Sequence, residues 1–90
     1  MDAKNVYVVS ISWDDANGTE FYIDSVYSNV ADAQKRMKHI YDAELSDFQL
    51  RNEKNIDMAK YDIRDRYAFM YMKSINFDEI RIEINERNLN

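Results

Sequence analysis

The sequence predicts an α+β domain: a single four-stranded antiparallel sheet in the order ββαββ, with one long helix packed on one face. Three observations carry this expectation. Residues 6–13 and 19–27 alternate along a β-branched and aromatic pattern around an Asn17-Gly18 signal. A stripe of mainly apolar residues at helical spacing follows between positions 30 and 48. Near the end of the chain, Ile80, Ile82 and Ile84 alternate with Glu79, Arg81 and Glu83. Ninety residues are enough for one domain, residues 1–90, with a modest core.

In the first hairpin, a two-residue Asn17-Gly18 turn would mix polar and apolar residues on both faces. A three-residue loop, Ala16-Asn17-Gly18, separates them, with Gly18 at positive φ in a bulge next to the turn. That register opposes Trp13 to Phe21, Ile11 to Ile23, Val9 to Ser25 and Tyr7 to Tyr27 on an apolar face. The other face then opposes Asp14 to Glu20, Ser12 to Tyr22, Ser10 to Asp24 and Val8 to Val26. Ser28 or Asn29 is the expected cap of the helix. Val30, Ala33, Met37, Ile40, Tyr41, Glu44, Leu45 and Phe48 form its stripe, and Ser46 with Gln49 marks an expected break. Residues 51–66, nine of them charged, read as a frayed helical extension followed by a loop. Residues 67–73 suit a central strand, with either Tyr67, Phe69 and Tyr71 or Ala68, Met70 and Met72 facing the helix. A turn at 74–76 leads into a last strand, 77–86, where Arg81 lies between Glu79 and Glu83.

Composition narrows the function. The chain has no cysteine and one histidine, His39, so thiolate metal sites and disulfides are excluded and a typical structural zinc site is not expected. No glycine-rich phosphate loop, dinucleotide fingerprint or calcium loop occurs. Carboxylate pairs at Asp14/Asp15, Asp62/Asp65 and Asp78/Glu79 each fall in or beside an expected turn, where aspartate commonly bonds the backbone. No enzymatic activity and no cofactor are therefore expected. Arg64, Arg66, Tyr67 and Tyr71 are the residue types that stack on single-stranded nucleic acid. A net charge of −5 opposes direct nucleic-acid binding. No apolar run is long enough to span a bilayer and none follows a basic stretch, so a cytoplasmic protein without membrane contact is expected.

The charge is unevenly placed. Residues 1–34 hold six acids (Asp2, Asp14, Asp15, Glu20, Asp24 and Asp32) and one base, Lys4, while eleven acids and eleven bases balance over residues 35–90. An acidic end on a neutral body points to a basic partner. The candidate partner-binding residues are Asp14, Asp15, Glu20, Tyr22 and Asp24, with the carboxylates imitating phosphates and Tyr22 as an anchor. The valines of the helix-free face make a homodimer the competing expectation.

The run Val6-Tyr-Val-Val-Ser-Ile-Ser-Trp-Asp-Asp-Ala-Asn-Gly-Thr-Glu, followed by Val26-Tyr-Ser-Asn-Val-Ala-Asp-Ala-Gln, resembles a layout of small acidic phage and mobile-element proteins. In these, two strands around an acidic turn lead through a capped junction into an amphipathic helix. The resemblance spans roughly the first forty residues. It implies a non-catalytic protein-binding inhibitor of the anti-defence kind, such as an anti-CRISPR or anti-restriction protein. Its implied partner is a host protein with a basic, nucleic-acid-handling surface.

Overall fold

The structure, a computed structural model, describes residues 4–15, 17–72 and 78–88. It is α+β: one antiparallel sheet and one long helix, in the order β1 (Asn5–Asp15), β2 (Gly18–Tyr27), α1 (Val30–Arg51), β3 (Ala59–Ile63), β4 (Tyr67–Met72) and β5 (Asp78–Asn88). The sheet has five strands rather than four, ordered β2-β1-β5-β4-β3. The additional strand, β3, lies in the stretch expected to be a loop. A short 3-10 segment, Glu53–Met58, leads into it. Ala59, Tyr61 and Ile63 alternate with Lys60 and Asp62, a period of two over only five residues. The charged side chains suit a short strand at the sheet's edge.

Helix α1 begins where its cap was expected. Asn29 is extended, and its Oδ1 accepts from the Asp32 N–H at 2.9 Å, while its Nδ2 donates to Asp32 Oδ2 at 3.0 Å. The helix does not break at Ser46; it continues to Arg51. Phe48 lies at the centre of that turn and is fully buried, so packing holds the segment helical across a local stop signal. Asn52 closes the end, with its N–H and its side-chain Nδ2 both donating to the Phe48 carbonyl, at 3.0 and 2.9 Å.

The core lies between α1 and one face of the sheet. Ala33, Met37, Ile40, Tyr41 and Phe48 meet Val9 and Ile11 of β1, Ile80, Ile82 and Ile84 of β5, and Ala68, Met70 and Met72 of β4. The alternative left open for β4 is thereby settled: its small and methionine residues face the helix, and Tyr67, Phe69 and Tyr71 face away. Ala68, Met70 and Met72 are fully buried there, and the unbranched methionines adapt to the space beneath the helix. β4 is an interior strand, as expected, paired with β5 on one side and edge strand β3 on the other.

The first hairpin departs from its expected register. Tyr7 opposes Tyr27, Val8 opposes Val26 and Val9 opposes Ser25, as expected. Past Val9 the pairing slips by one: Ser10 opposes Ile23, Ile11 opposes Tyr22, Ser12 opposes Phe21, Trp13 opposes Glu20 and Asp14 opposes Thr19. Gly18 does take positive φ, at 134°, but the extra residue is Asp24 in mid-strand rather than one at the turn. The expected pairs Trp13/Phe21, Ile11/Ile23, Asp14/Glu20, Ser12/Tyr22 and Ser10/Asp24 are therefore not formed. Trp13 packs toward the core with its ring 5.1 Å from that of Tyr22, while Phe21 and Ile23 fall on the face opposite the helix. The expected turn at 74–76 and the first residue of the last strand, Phe77, lie outside the described residues, as does Ala16 of the hairpin loop.

Two neighbouring substitutions on β4 report its face assignment. Met70→Asp buries an unpaired carboxylate in the core and leaves the chain unfolded by circular dichroism. Tyr67→Asp, on the open face, changes stability by no more than about 1 kcal/mol in a denaturant titration.

Candidate binding surface

Alternation along the strands sends every second side chain to the face away from α1. The registers then align these residues in rows across the sheet. Thr19, Asp14, Glu79, Tyr71 and Lys60 form one row from β2 to β3; Phe21, Ser12, Arg81, Phe69 and Asp62 form the next; Ile23, Ser10, Glu83 and Tyr67 form a third. Val26 and Val8 continue the pattern with Asn85. The result is two apolar ribs: Phe21, Ile23 and Val26 on β2, and the aromatic set on β4, where Tyr67 and Phe69 stack at 6.0 Å. Between them are the small Ser10 and Ser12 and a charged ladder on β5. Arg81 donates to Glu79 at 2.7 Å and lies 3.9 Å from Glu83, as its position between two glutamates predicted. Phe21, Ile23 and Val26 are 66%, 60% and 54% exposed.

Acidic groups gather at the hairpin end of the sheet. Because β5 lies beside β1, Asp14 opposes Glu79 and Asp15 opposes Asp78, while Glu20 stands on β2. Five carboxylates thus converge from three adjacent strands. Two arginines answer them: Arg81 bonds Glu79, and Arg51 reaches Asp78 at 3.1 Å. Like charges opposed across a sheet cost stability, so the Asp14–Glu79 pair relies on Arg81, whose own pKa is raised chiefly by Glu79 and slightly by Asp14. Asp15 and Glu20 make no ion pair among the described residues.

The five residues expected to bind a partner do not form one surface. Asp14 faces away from the helix and accepts from the Thr19 hydroxyl at 3.1 Å. Asp15 lies at the turn, where its Oδ1 accepts from the Asn17 N–H at 2.8 Å. Glu20 and Tyr22 fall on the helix side, at the exposed edge. Asp24 is committed elsewhere. At the bulge, Asp24 and Ser25 both oppose Val9 and point toward the helix, where Arg36 grips the Asp24 carboxylate in a two-bond fork at 2.8 and 2.9 Å. The Asp24 side chain is only 12% exposed. Asp2 lies outside the described residues, and Asp32 is occupied at the helix cap. The sequence marked Asp78 and Glu79 only as a turn pair and missed their place beside the hairpin, which depends on strand order; it also missed the face of Phe21 and Ile23, which depends on the bulge. Arg36, twelve residues from Asp24 and on the first turns of the helix, was the available signal for that bulge.

Other residues singled out by type have structural partners. Arg64 pairs with Asp62 at 2.9 Å, and Arg66 pairs with Glu86 at 3.2 Å while its guanidinium lies 5.7 Å from the centre of the Tyr7 ring. His39 is exposed on α1. Among the described residues no three His, Asp or Glu side chains group as metal ligands, and no helix is long and apolar enough to cross a membrane.

The bulge makes a pH prediction. Hydrogen bonds from Arg36 hold the Asp24 carboxyl below the ordinary aspartate range, against the opposing effect of its burial, and Ser25 assists. A carboxyl with a depressed folded-state pKa contributes stability that is complete above its unfolded value and lost as pH falls through the folded value. Arg36→Ala therefore lowers stability at pH 7 by about 1 kcal/mol, discounted for the partial exposure of Arg36, and the deficit shrinks as pH falls below about 4. Denaturant titrations of the two proteins across pH 2–7 measure it.

Comparison with protein-family models, curated proteins and solved structures finds no match for the chain.

Proposed function

We propose that this chain is a non-catalytic protein-binding inhibitor that uses the acidic end of its sheet to occlude a basic surface on a host protein, in the manner of phage-encoded anti-defence proteins. The gathering of Asp14 and Glu79 on the helix-free face with Asp15, Glu20 and Asp78 on the helix side, all at the hairpin end of three adjacent strands, is the observation that carries this reading. Carboxylates at spaced positions on a rigid sheet present a fixed array of negative charge, which is how a protein surface competes with a phosphate backbone for arginine and lysine side chains. Tyr22, its ring tilted against that of Trp13 at 5.1 Å and 47% exposed, stands near Glu20 as an amphipathic anchor. Asp24 leaves the set of contact residues and becomes a positioning residue, since its bulge sets where Glu20 and Tyr22 point. The partner is a nucleic-acid-handling effector of the bacterial cytoplasm, engaged without direct contact between this chain and nucleic acid.

Affinity capture from a bacterial lysate, with mass-spectrometric identification, supplies the partner for the decisive measurement. Binding to the purified partner weakens as salt rises, because exposed charges are screened over about 8 Å at physiological ionic strength. Joint replacement Asp14→Lys, Asp15→Lys and Glu20→Lys abolishes it while circular dichroism stays unchanged. Retained binding by that variant rejects the acidic end as the interface.

A further inference from the structure

We propose that β2 pairs edge to edge with β2 of a second copy, in antiparallel register centred on Phe21, to join two sheets into one of ten strands. The inference does not rest on the inhibitor reading, and it competes with it for Glu20 and Tyr22, which the dimer pairs with each other.

The edge itself is the first argument. Among the described residues β2 bonds only β1, so its other side presents a ten-residue strand edge with no strand paired to it. Edge strands are commonly guarded by lysine, proline, shortness or a bulge; β2 has no lysine or proline and is not short, and its one bulge, at Asp24, leaves residues 18–23 regular. It instead carries Phe21, Tyr22, Ile23 and Val26, all large apolar or aromatic side chains 47–66% exposed. Taking aromatic side chains at ~150–250 Å² and aliphatic ones somewhat smaller, the exposed parts of Phe21, Tyr22 and Ile23, the three within the pairing segment, amount to about 300 Å² per copy. That is somewhat under half of the ~800 Å² each partner gives to a stable interface, before the backbone edge is counted. The opposite edge, β3, is five residues long and bears Lys60 and Asp62.

Charge then selects the register. The Asp24 bulge interrupts regular pairing, which leaves residues 18–23 as the usable segment. A two-fold axis through Glu20 would oppose Glu20 to its own copy. An axis through Tyr22 would oppose Glu20 to Asp24. An axis through Phe21 opposes no acid to an acid: Phe21 meets Phe21 of the second copy, Thr19 meets Ile23, and Glu20 meets Tyr22, whose hydroxyl can donate to the carboxylate. Phe21 and Ile23 of the outer face then lie at the middle of the joined sheet rather than at its rim, while Val26 lies beyond the paired segment.

Sedimentation of the full chain from micromolar to millimolar concentration reads the association. A monomer–dimer equilibrium is expected, tightened by salt because each copy carries a charge of −5. Phe21→Lys weakens it by about 30-fold or more, whereas Tyr67→Lys, on the same face but far from the edge, leaves it within a few-fold. The cysteine-free chain allows a direct check of register. Residues paired at the axis have Cα atoms about 4.5–5.5 Å apart, within disulfide range, so Phe21→Cys oxidises to a covalent dimer. Val26→Cys, about 30 Å from its own copy in this register, does not. Exposed positions make these variants fold normally, which circular dichroism verifies. A monomer at every concentration overturns the proposal. So does a dimer sensitive to Tyr67→Lys but not to Phe21→Lys, or equal cross-linking at positions 21 and 26.

Discussion

Antiparallel pairing of β1 with β5 joins the two ends of the chain over eleven consecutive residues, from Asn5 opposite Asn88 to Asp15 opposite Asp78. Both strands lie inside the sheet, and between them they supply Val9, Ile11, Ile80, Ile82 and Ile84 to the core. Everything else is arranged around this ladder. β2 extends it on one side and β4 with β3 on the other, and α1 crosses the apolar face so formed. The ladder also determines the electrostatics, because it brings Asp78 and Glu79 of the last strand beside Asp14 and Asp15 of the first.

Local pattern was enough to find the helix, its Asn29 cap, its buried stripe and the strands around it. Long amphipathic segments reveal their faces because water must be excluded from one side only. Two features lay beyond that reasoning. β3 is five residues with two charges, and its alternation is too short to stand out from the charged stretch around it. The bulge at Asp24 arises from a tertiary contact: the fork between Asp24 and Arg36 rewards one extra residue in β2, and a symmetric period-two pattern has no place for it. A displaced bulge moves side chains between faces, so this one ion pair altered the reading of Phe21, Ile23 and Tyr22 together.

The candidate site was legible in kind but not in membership. Acidic composition in the first third of the chain located the charged end. Strand order added two carboxylates from the far end of the sequence, and the bulge withdrew Asp24. Order within a sheet depends on which faces and edges match across long sequence separations, and one sequence holds little trace of it. The same limit applies to β4. Either of its residue sets is apolar enough for a core, and only the fit beneath α1 chooses the methionines.

The two edges of the sheet differ in a way that bears on growth. A strand-to-strand contact between unlike edges leaves a fresh edge at each end and can propagate into a fibre. Here the apolar edge is interrupted by the Asp24 bulge and the remaining edge, β3, is brief and charged, with Arg64 bonded to Asp62 at its tip. Head-to-tail addition would have to match a long, bent strand to a short, polar one. Aggregation by open-ended stacking is thereby disfavoured in the same backbone geometry that exposes Phe21, and the chain can carry a sticky edge without becoming a polymer.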